Sequence, residues 1–128
     1  MSDAFTYRDL NAWKQAMNVV EECYRCTDSF PRSERFGLVS QIRRAAVSIP
    51  ANIAEGRCRH TTGAFTNHIS IALGSVGELE TCIELCVRLG FLKPSDATRL
   101  STAVNSLGRL LSALHRSLQA KLDHVPHP

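Results

Sequence analysis

Apolar residues recur along four segments of the chain at alternating spacings of three and four, the pattern of amphipathic helices. We therefore predict helices over about residues 9–28, 33–56, 62–90 and 95–122, within a single domain spanning 1–128. No segment shows the strand-like alternation that would compete with this prediction. Because short connections favour antiparallel neighbours, the predicted fold class is all-α, an antiparallel up-down-up-down four-helix bundle.

Each predicted helix carries a stripe of large apolar residues that we assign to the core. Two of these stripes matter most below. The first helix contributes Leu10, Trp13, Met17, Val20 and Tyr24, and the fourth contributes Leu100, Val104, Leu107, Leu111, Leu114, Leu118 and Leu122. We expect N-caps at Asp9 and Ser33, because short polar side chains accept hydrogen bonds from the first helical N–H groups. Gly56 is expected as a left-handed C-cap.

A second stripe of small residues flanks the first one on two helices. It comprises Ala12, Ala16, Val19, Cys23 and Cys26 on the first helix, and Ala103, Ser106, Leu110, Ala113 and Ser117 on the fourth. One interpretation is a wide core-facing stripe within one bundle. The other is a contact between subunits, because small residues let another backbone approach closely. The pattern alone does not decide between them.

Three residues break the rules of helix composition. Pro50 lies inside the second helical pattern, where it removes a backbone donor, so we predict a kink or short break that does not end the helix. Gly74 and Gly77 lie in the middle of the third pattern, where each glycine costs about 1 kcal/mol relative to alanine. We expect close approach of a neighbouring helix to offset that cost.

No arrangement of residues in the sequence indicates catalysis or a cofactor. The chain has five cysteines, and Cys23 and Cys26 have the spacing of a redox or zinc motif within a helical pattern, with Cys82 and Cys86 as the candidate second pair. We expect free thiols without metal. No apolar run approaches the roughly 18 residues of a membrane span, and the N-terminus resembles no export signal, so we expect a cytoplasmic location.

Positive charge is concentrated on the second helix and its ends. Residues 32–60 contain six arginines against two acids, a net charge of +4, whereas the whole chain carries +3. We assign Arg43, Arg44, Arg57 and Arg59 to one outer face that binds an anionic partner. The alternative is a solvated helix face that acids elsewhere on the bundle balance.

The segment 41–56, QIRRAAVSIPANIAEG, resembles the signature of the four-helix-bundle proteins called 23S rRNA intervening-sequence proteins. Their reading frames were first noticed in insertions within large-subunit ribosomal RNA genes. Further matches are Asp9-Leu10 with Trp13, Phe30-Pro31 with Glu34, Gly37-Leu38, the segment 72–80 and the segment 89–92, so that the resemblance covers about residues 7–120.

This resemblance implies a left-handed antiparallel bundle that assembles as a homopentamer. It favours the interpretation of the small-residue stripe as a contact between subunits. The expected contact residues are Ala12, Ala16, Val19, Ala103, Leu110 and Ala113. The family is also similar to the accessory variability determinant proteins of diversity-generating retroelements, which are basic pentamers that bind nucleic acid and a reverse transcriptase. No catalytic residues are known for it.

Two functions follow as hypotheses. The first is a non-enzymatic, oligomeric binding module that engages RNA or a nucleic-acid-handling protein through the arginines of the second helix, where repetition around a ring would strengthen a modest charge. The second is a homo-oligomeric scaffold whose basic face binds an acidic protein. An enzyme with a site assembled between subunits is a third, less favoured hypothesis.

Overall fold

The computed structural model describes residues 5–124, which form an all-α bundle of four helices without a strand in that range. These are α1 Asn11–Thr27, α2 Leu38–Cys58, α3 Thr62–Arg88 and α4 Pro94–Asp123, with 3-10 turns at Tyr7–Asp9 and Arg32–Glu34. Each helix packs against the next, and α4 closes the ring against α1. The predicted four-helix bundle is confirmed, and the largest difference is the later start of α2.

The two predicted N-caps lie in 3-10 turns instead. Asp9 closes the first turn, where its carboxylate accepts the Thr6 N–H at 2.8 Å, and α1 begins two residues later without a side-chain cap. Ser33 lies inside the second turn. The helix α2 begins only at Leu38, whose N–H donates to the Glu34 carboxylate at 3.4 Å. Asp9 thus satisfies a tight turn in place of a helix start, as short polar side chains often do.

Gly56 does not end α2 as expected but lies buried within it. A Cβ at this position would come within 2.6 Å of the His68 Cβ and 3.2 Å of the Phe65 ring, so the glycine permits close packing of α2 on α3. The left-handed residue between these helices is His60, with φ of +62°. The predicted stop of α3 at Gly90 agrees with its φ of +77°.

The core stripe predicted for α1 is only partly correct, since Leu10, Trp13 and Val20 are half-buried against the core. Met17 and Tyr24 are 39% and 43% exposed, and the small-residue stripe beside them faces the interior. The buried residues of α1 are Ala12, Ala16, Val19, Cys23, Cys26 and Thr27. Small side chains bring the backbone of α1 close to its neighbours, so they fill the core here in place of larger ones.

Burial within a single chain also tests which of the predicted contact residues could reach another subunit. Ala12, Ala16 and Val19 are between 0% and 4% exposed inside a single chain, so their assignment to a contact between subunits was wrong. The α4 members differ, since Ala103 and Leu110 are half-buried and Ala113 is exposed. For these three residues the subunit contact stays a prediction.

The core stripe predicted for α4 was largely correct, since Leu100, Val104, Leu107, Leu111 and Leu118 are buried.

The helix α2 continues through Pro50, which is buried, so the prediction that this residue does not end the element is confirmed. The Asn52 side-chain amide donates to the Ser48 carbonyl at 2.8 Å around this position. Because proline lacks an N–H, the Ala46 carbonyl has no α-helical donor at this point. The helix is uninterrupted from Leu38 to Cys58, so the alternative of a short break is wrong, whereas a kink at Pro50 stays a prediction.

The mid-helix glycines of α3 do not have the packing role that was predicted. A Cβ at Gly74 or Gly77 would meet nothing within 4 Å, so no neighbouring helix of the same chain approaches them. Their exposure is considered again below. Over residues 5–124, no helix combines the length and apolarity needed to cross a membrane.

Candidate nucleic-acid interface

An open groove of about 590 Å³ follows the outer side of the first half of α2, where it meets the end of α1 and the turn before α2. Its lining brings together basic and aromatic side chains, and no acid is found among the lining residues that the structure describes. The residues used below are Tyr24, Arg35, Phe36, Arg43, Arg44 and Val47. Such a surface attracts polyanions and offers apolar area to bases.

Helical periodicity explains how α2 builds this groove. Lining positions recur as Val39 with Ser40, Arg43 with Arg44, and Val47 with Ser48, a spacing of four that keeps them on one side of a helix. In each pair one residue lies nearer the bundle and the other nearer solvent. Val39 is buried, whereas Arg44 and Val47 are exposed.

Arg43 is held in place by the end of α1. Its Nε donates to the Thr27 hydroxyl at 3.0 Å, and its guanidinium carbon lies 4.3 Å from the centroid of the Tyr24 ring. The Thr27 hydroxyl in turn donates to the Cys23 carbonyl at 2.7 Å. A cation fixed in this way loses little conformational freedom when it meets an anion.

Arg44 and Arg35 are exposed, and neither forms an ion pair within residues 5–124. Arg44 lies next to the buried position Ala45, yet the described residues provide no internal glutamate partner for it. The Arg35 guanidinium lies 5.7 Å from the centroid of the Phe36 ring. These two side chains therefore supply charge that can be directed to a ligand.

Arg57 and Arg59 lie at the opposite end of α2 and do not join this groove. Fourteen residues separate Arg43 from Arg57, about 21 Å at 1.5 Å per residue. Arg57 donates to the Phe5 carbonyl at 3.3 Å, and Arg59 pairs with Glu55 at 3.5 Å. The prediction of one face containing all four arginines is wrong, because the helix is long enough to hold two separate basic clusters.

Arg57 lines a separate cavity of about 370 Å³ at the turn between α2 and α3. His60 and Lys121 add basic character there, and Phe5 and Phe65 add aromatic surface. The cavity differs from the α2 groove in the number of arginines that line it. Its single arginine has a backbone acceptor and a ring 5.5 Å away, both from Phe5, much as Arg43 has both from Tyr24. The α2 groove adds Arg35 and Arg44, which form no ion pair within residues 5–124.

The model of the 23S rRNA-intervening sequence protein family matches residues 8–113. The chain belongs to this family. Among solved structures it is similar to a protein of unknown function from the S23 ribosomal protein family of Bacteroides thetaiotaomicron. The TM-score is 0.73 at 21% identity, with 81% of this chain and 97% of that chain covered. A likeness at this identity supports the bundle fold. Comparison with curated protein sequences finds no significant match.

The segment that carries the family resemblance, residues 41–56, forms the polar contact between α2 and α3. The hydroxyls of Ser48 and Ser75 are hydrogen-bonded across the helices. The His68 Nδ1 lies 3.0 Å from the Asn52 Oδ1 and 3.6 Å from the Glu55 Oε2. These pairs place the two helices antiparallel and fix their register, so this part of the family segment is used for folding.

Four of the five cysteines are buried in the bundle. Cys23, Cys26, Cys82 and Cys86 are buried free thiols, and Cys58 is exposed. Burial raises the pKa of Cys23 to about 12 and that of Cys86 to about 11, which keeps both protonated at neutral pH. Among the described residues, no group of three or more His, Cys, Asp or Glu side chains could hold a metal ion.

Sequence reasoning identified Arg43 and Arg44 but missed the other functional candidates of the groove. Tyr24 was assigned to the core, and Arg35 and Phe36 were placed inside a helix that begins only at Leu38. The neighbouring Arg35-Phe36 pair within a basic segment could have indicated an exposed aromatic platform. Only the packing of α1 against α2 shows that Tyr24 joins it.

Proposed function

We propose that this protein is a non-enzymatic, oligomeric binding module that engages RNA through the groove on the first half of α2. One observation supports this most. Three arginines line the groove without an acid among its described lining residues, and none of them has an ion-pair partner within residues 5–124. Phosphate contacts by arginine supply most of the affinity in non-specific nucleic-acid binding.

The aromatic lining favours a nucleic acid over an acidic protein. Tyr24 and Phe36 expose ring area beside the arginines, and bases stack on such rings whatever their sequence. An acidic polypeptide would use the arginines but gain less from the rings. A homo-oligomeric scaffold with an acidic partner is therefore the second candidate.

Self-association belongs to the same proposal. A pentamer, as the family resemblance implies, would repeat the groove five times and multiply its electrostatic potential. Ala103, Leu110 and Ala113 on α4 remain the expected contact residues. We place the assembly in the cytoplasm, where its five thiols would stay reduced. Kinship with the accessory variability determinant proteins is part of this proposal.

Two measurements test it. Sedimentation equilibrium at micromolar concentration should give a mass near five times the 14.1 kDa of one chain, and a stable monomer would contradict the assembly. Binding of fluorescent RNA should weaken steeply with salt, with a log–log slope of about −0.7 per phosphate neutralised on a single strand. No measurable RNA affinity at about 0.15 M salt would leave the acidic-protein scaffold as the better hypothesis.

A further inference from the structure

The side chain of Phe36 is 90% exposed, more than any other large apolar residue described. It occupies the turn just before α2, where no helix within residues 5–124 covers it. A single exposed apolar residue is common on protein surfaces and needs no explanation by itself. Phe36 differs because it borders the basic groove.

Two further apolar side chains extend this surface along the groove. Tyr24 and Val47 are each 43% exposed and line the same cavity as Phe36. The α2 part of the groove runs from Val39 to Ser48, about 14 Å at 1.5 Å per residue. A short stretch of extended nucleic-acid strand can therefore lie along the groove, with both its bases and its phosphates in contact with the protein.

The two rings of the groove have different roles. The guanidinium of Arg43 lies 4.3 Å from the centroid of Tyr24, and the hydrogen bond to Thr27 holds it there. One face of the Tyr24 ring is therefore already in use. The guanidinium of the exposed Arg35 lies 5.7 Å from the centroid of Phe36, which keeps most of its surface in water. Phe36 is therefore the ring with exposed area on which a base can stack.

We infer that the groove binds unpaired RNA, with a base stacked on Phe36 and its neighbouring phosphates held by Arg35 and Arg44. This inference rests on the proposed function and adds the class of nucleic acid to it. In a duplex the faces of the bases are covered by their neighbours, whereas an unpaired base can turn a face to an aromatic side chain. A surface that used the arginines alone would not distinguish the two forms in this way.

The first test compares Phe36→Ala with the unaltered protein on a labelled 12-nucleotide single strand and on a duplex of the same sequence. Stacking on an aromatic residue contributes about 1–3 kcal/mol per base, so Phe36→Ala should weaken single-strand binding by about 5- to 150-fold. Duplex binding should be weaker from the start and should change little. Phe5→Ala is the matched control, because Phe5 is also exposed but lies beside Arg57 at the far end of α2.

A second variant gives a spectroscopic signature of stacking. Trp13 is the one tryptophan of the chain, so Phe36→Trp adds a reporter on the groove. Its emission should be quenched by the single strand and unaffected by a polyglutamate peptide. Sedimentation of Phe36→Ala should match that of the unaltered protein, since a change in mass would mean that a second copy covers Phe36 and would overturn the inference.

The outcomes separate this inference from the proposed function. Suppose that the unaltered protein binds single-stranded and duplex RNA equally, and that Phe36→Ala has the same affinities. The RNA-binding function then stands, and the inferred base stacking on Phe36 is wrong. A loss seen with Phe5→Ala in place of Phe36→Ala would move the contact to the other end of α2. If no RNA binds and polyglutamate does, both the inference and the proposed function are wrong.

Discussion

The two halves of α2 contain similar arginines and use them differently. In the first half, Arg44 is exposed without an ion pair among the described residues, and Arg43 is braced against Tyr24 beside an open groove. In the second half, Arg57 and Arg59 bond to Phe5 and Glu55. Charge in the sequence therefore indicates where cations are, whereas the structure shows which of them remain available to a partner.

The same contrast extends to the packing of the helix. The second half is locked to α3 by the contact of Asn52 and Glu55 with His68, and by the absence of a side chain at Gly56. The first half shares its outer side with the end of α1 and leaves a groove there. One helix thus combines a segment used for folding with a segment free for binding.

The largest effect is expected from Gly56→Ala. Alanine would gain about 1 kcal/mol of helix propensity, but its Cβ would lie 2.6 Å from the His68 Cβ, and overpacking of this kind costs about 1–3 kcal/mol. Because both atoms are fixed to their backbones, the clash should prevail and urea unfolding should show a lower midpoint. A midpoint equal to or above that of the unaltered protein would show that α2 and α3 are less tightly joined than described.

Alkaline pH should weaken the part of the bundle beneath the groove. Burial raises the pKa of Cys23 from 9.0 to about 12. Below pH 9 the thiol is protonated in both states and has no effect. Between pH 9 and 12 only the unfolded chain releases the proton, so the free energy of unfolding should fall by about 1.4 kcal/mol per pH unit from this residue.

The control for this pH dependence is Cys23→Ala. Urea unfolding from pH 8 to 10.5 should show a shallower decline for the variant than for the unaltered protein. The exposed Cys58 at the end of α2 offers a second comparison, since it should be alkylated rapidly in the folded state while the buried thiols react slowly. Parallel declines in the two proteins would contradict the assigned role of Cys23.

A smaller effect of opposite sign is expected from Gly77→Ala. Nothing lies within 4 Å of a Cβ at this position, so alanine should stabilise α3 by up to about 1 kcal/mol without a clash. It is the counterpart of Gly56→Ala, with the same substitution made on an open face. A variant that folds but loses its oligomeric mass would show that another subunit packs on Gly77.

Periodicity predicted the bundle because three of the four helices bury large aliphatic residues. In α2, for example, Ile42, Ala45, Ile49 and Ile53 recur at spacings of three and four and are all buried. The first helix differs, since it packs through Ala12, Ala16 and Cys23 and leaves Met17 exposed. Side-chain size was the wrong guide there, because the distance between helices depends on both partners of the contact.

The candidate site was only partly predictable for a similar reason. Arg43 and Arg44 belong to one helix, so their proximity follows from the local sequence. The Tyr24–Arg43 contact joins residues 19 positions apart and depends on how α1 packs on α2. Whether an arginine is already bonded within the chain depends on partners such as Phe5, which accepts a hydrogen bond from Arg57. No periodicity in the sequence relates these two residues.

The most direct test of this account compares two double variants that remove the same charge from opposite ends of α2. Arg35→Gln with Arg44→Gln should weaken binding of a single-stranded RNA and flatten its log–log salt slope by about 1.4, or 0.7 for each lost phosphate contact. Arg57→Gln with Arg59→Gln should leave affinity and slope close to those of the unaltered protein. Equal losses from both pairs, or a loss confined to the second pair, would contradict the assignment of the groove as the RNA-binding surface.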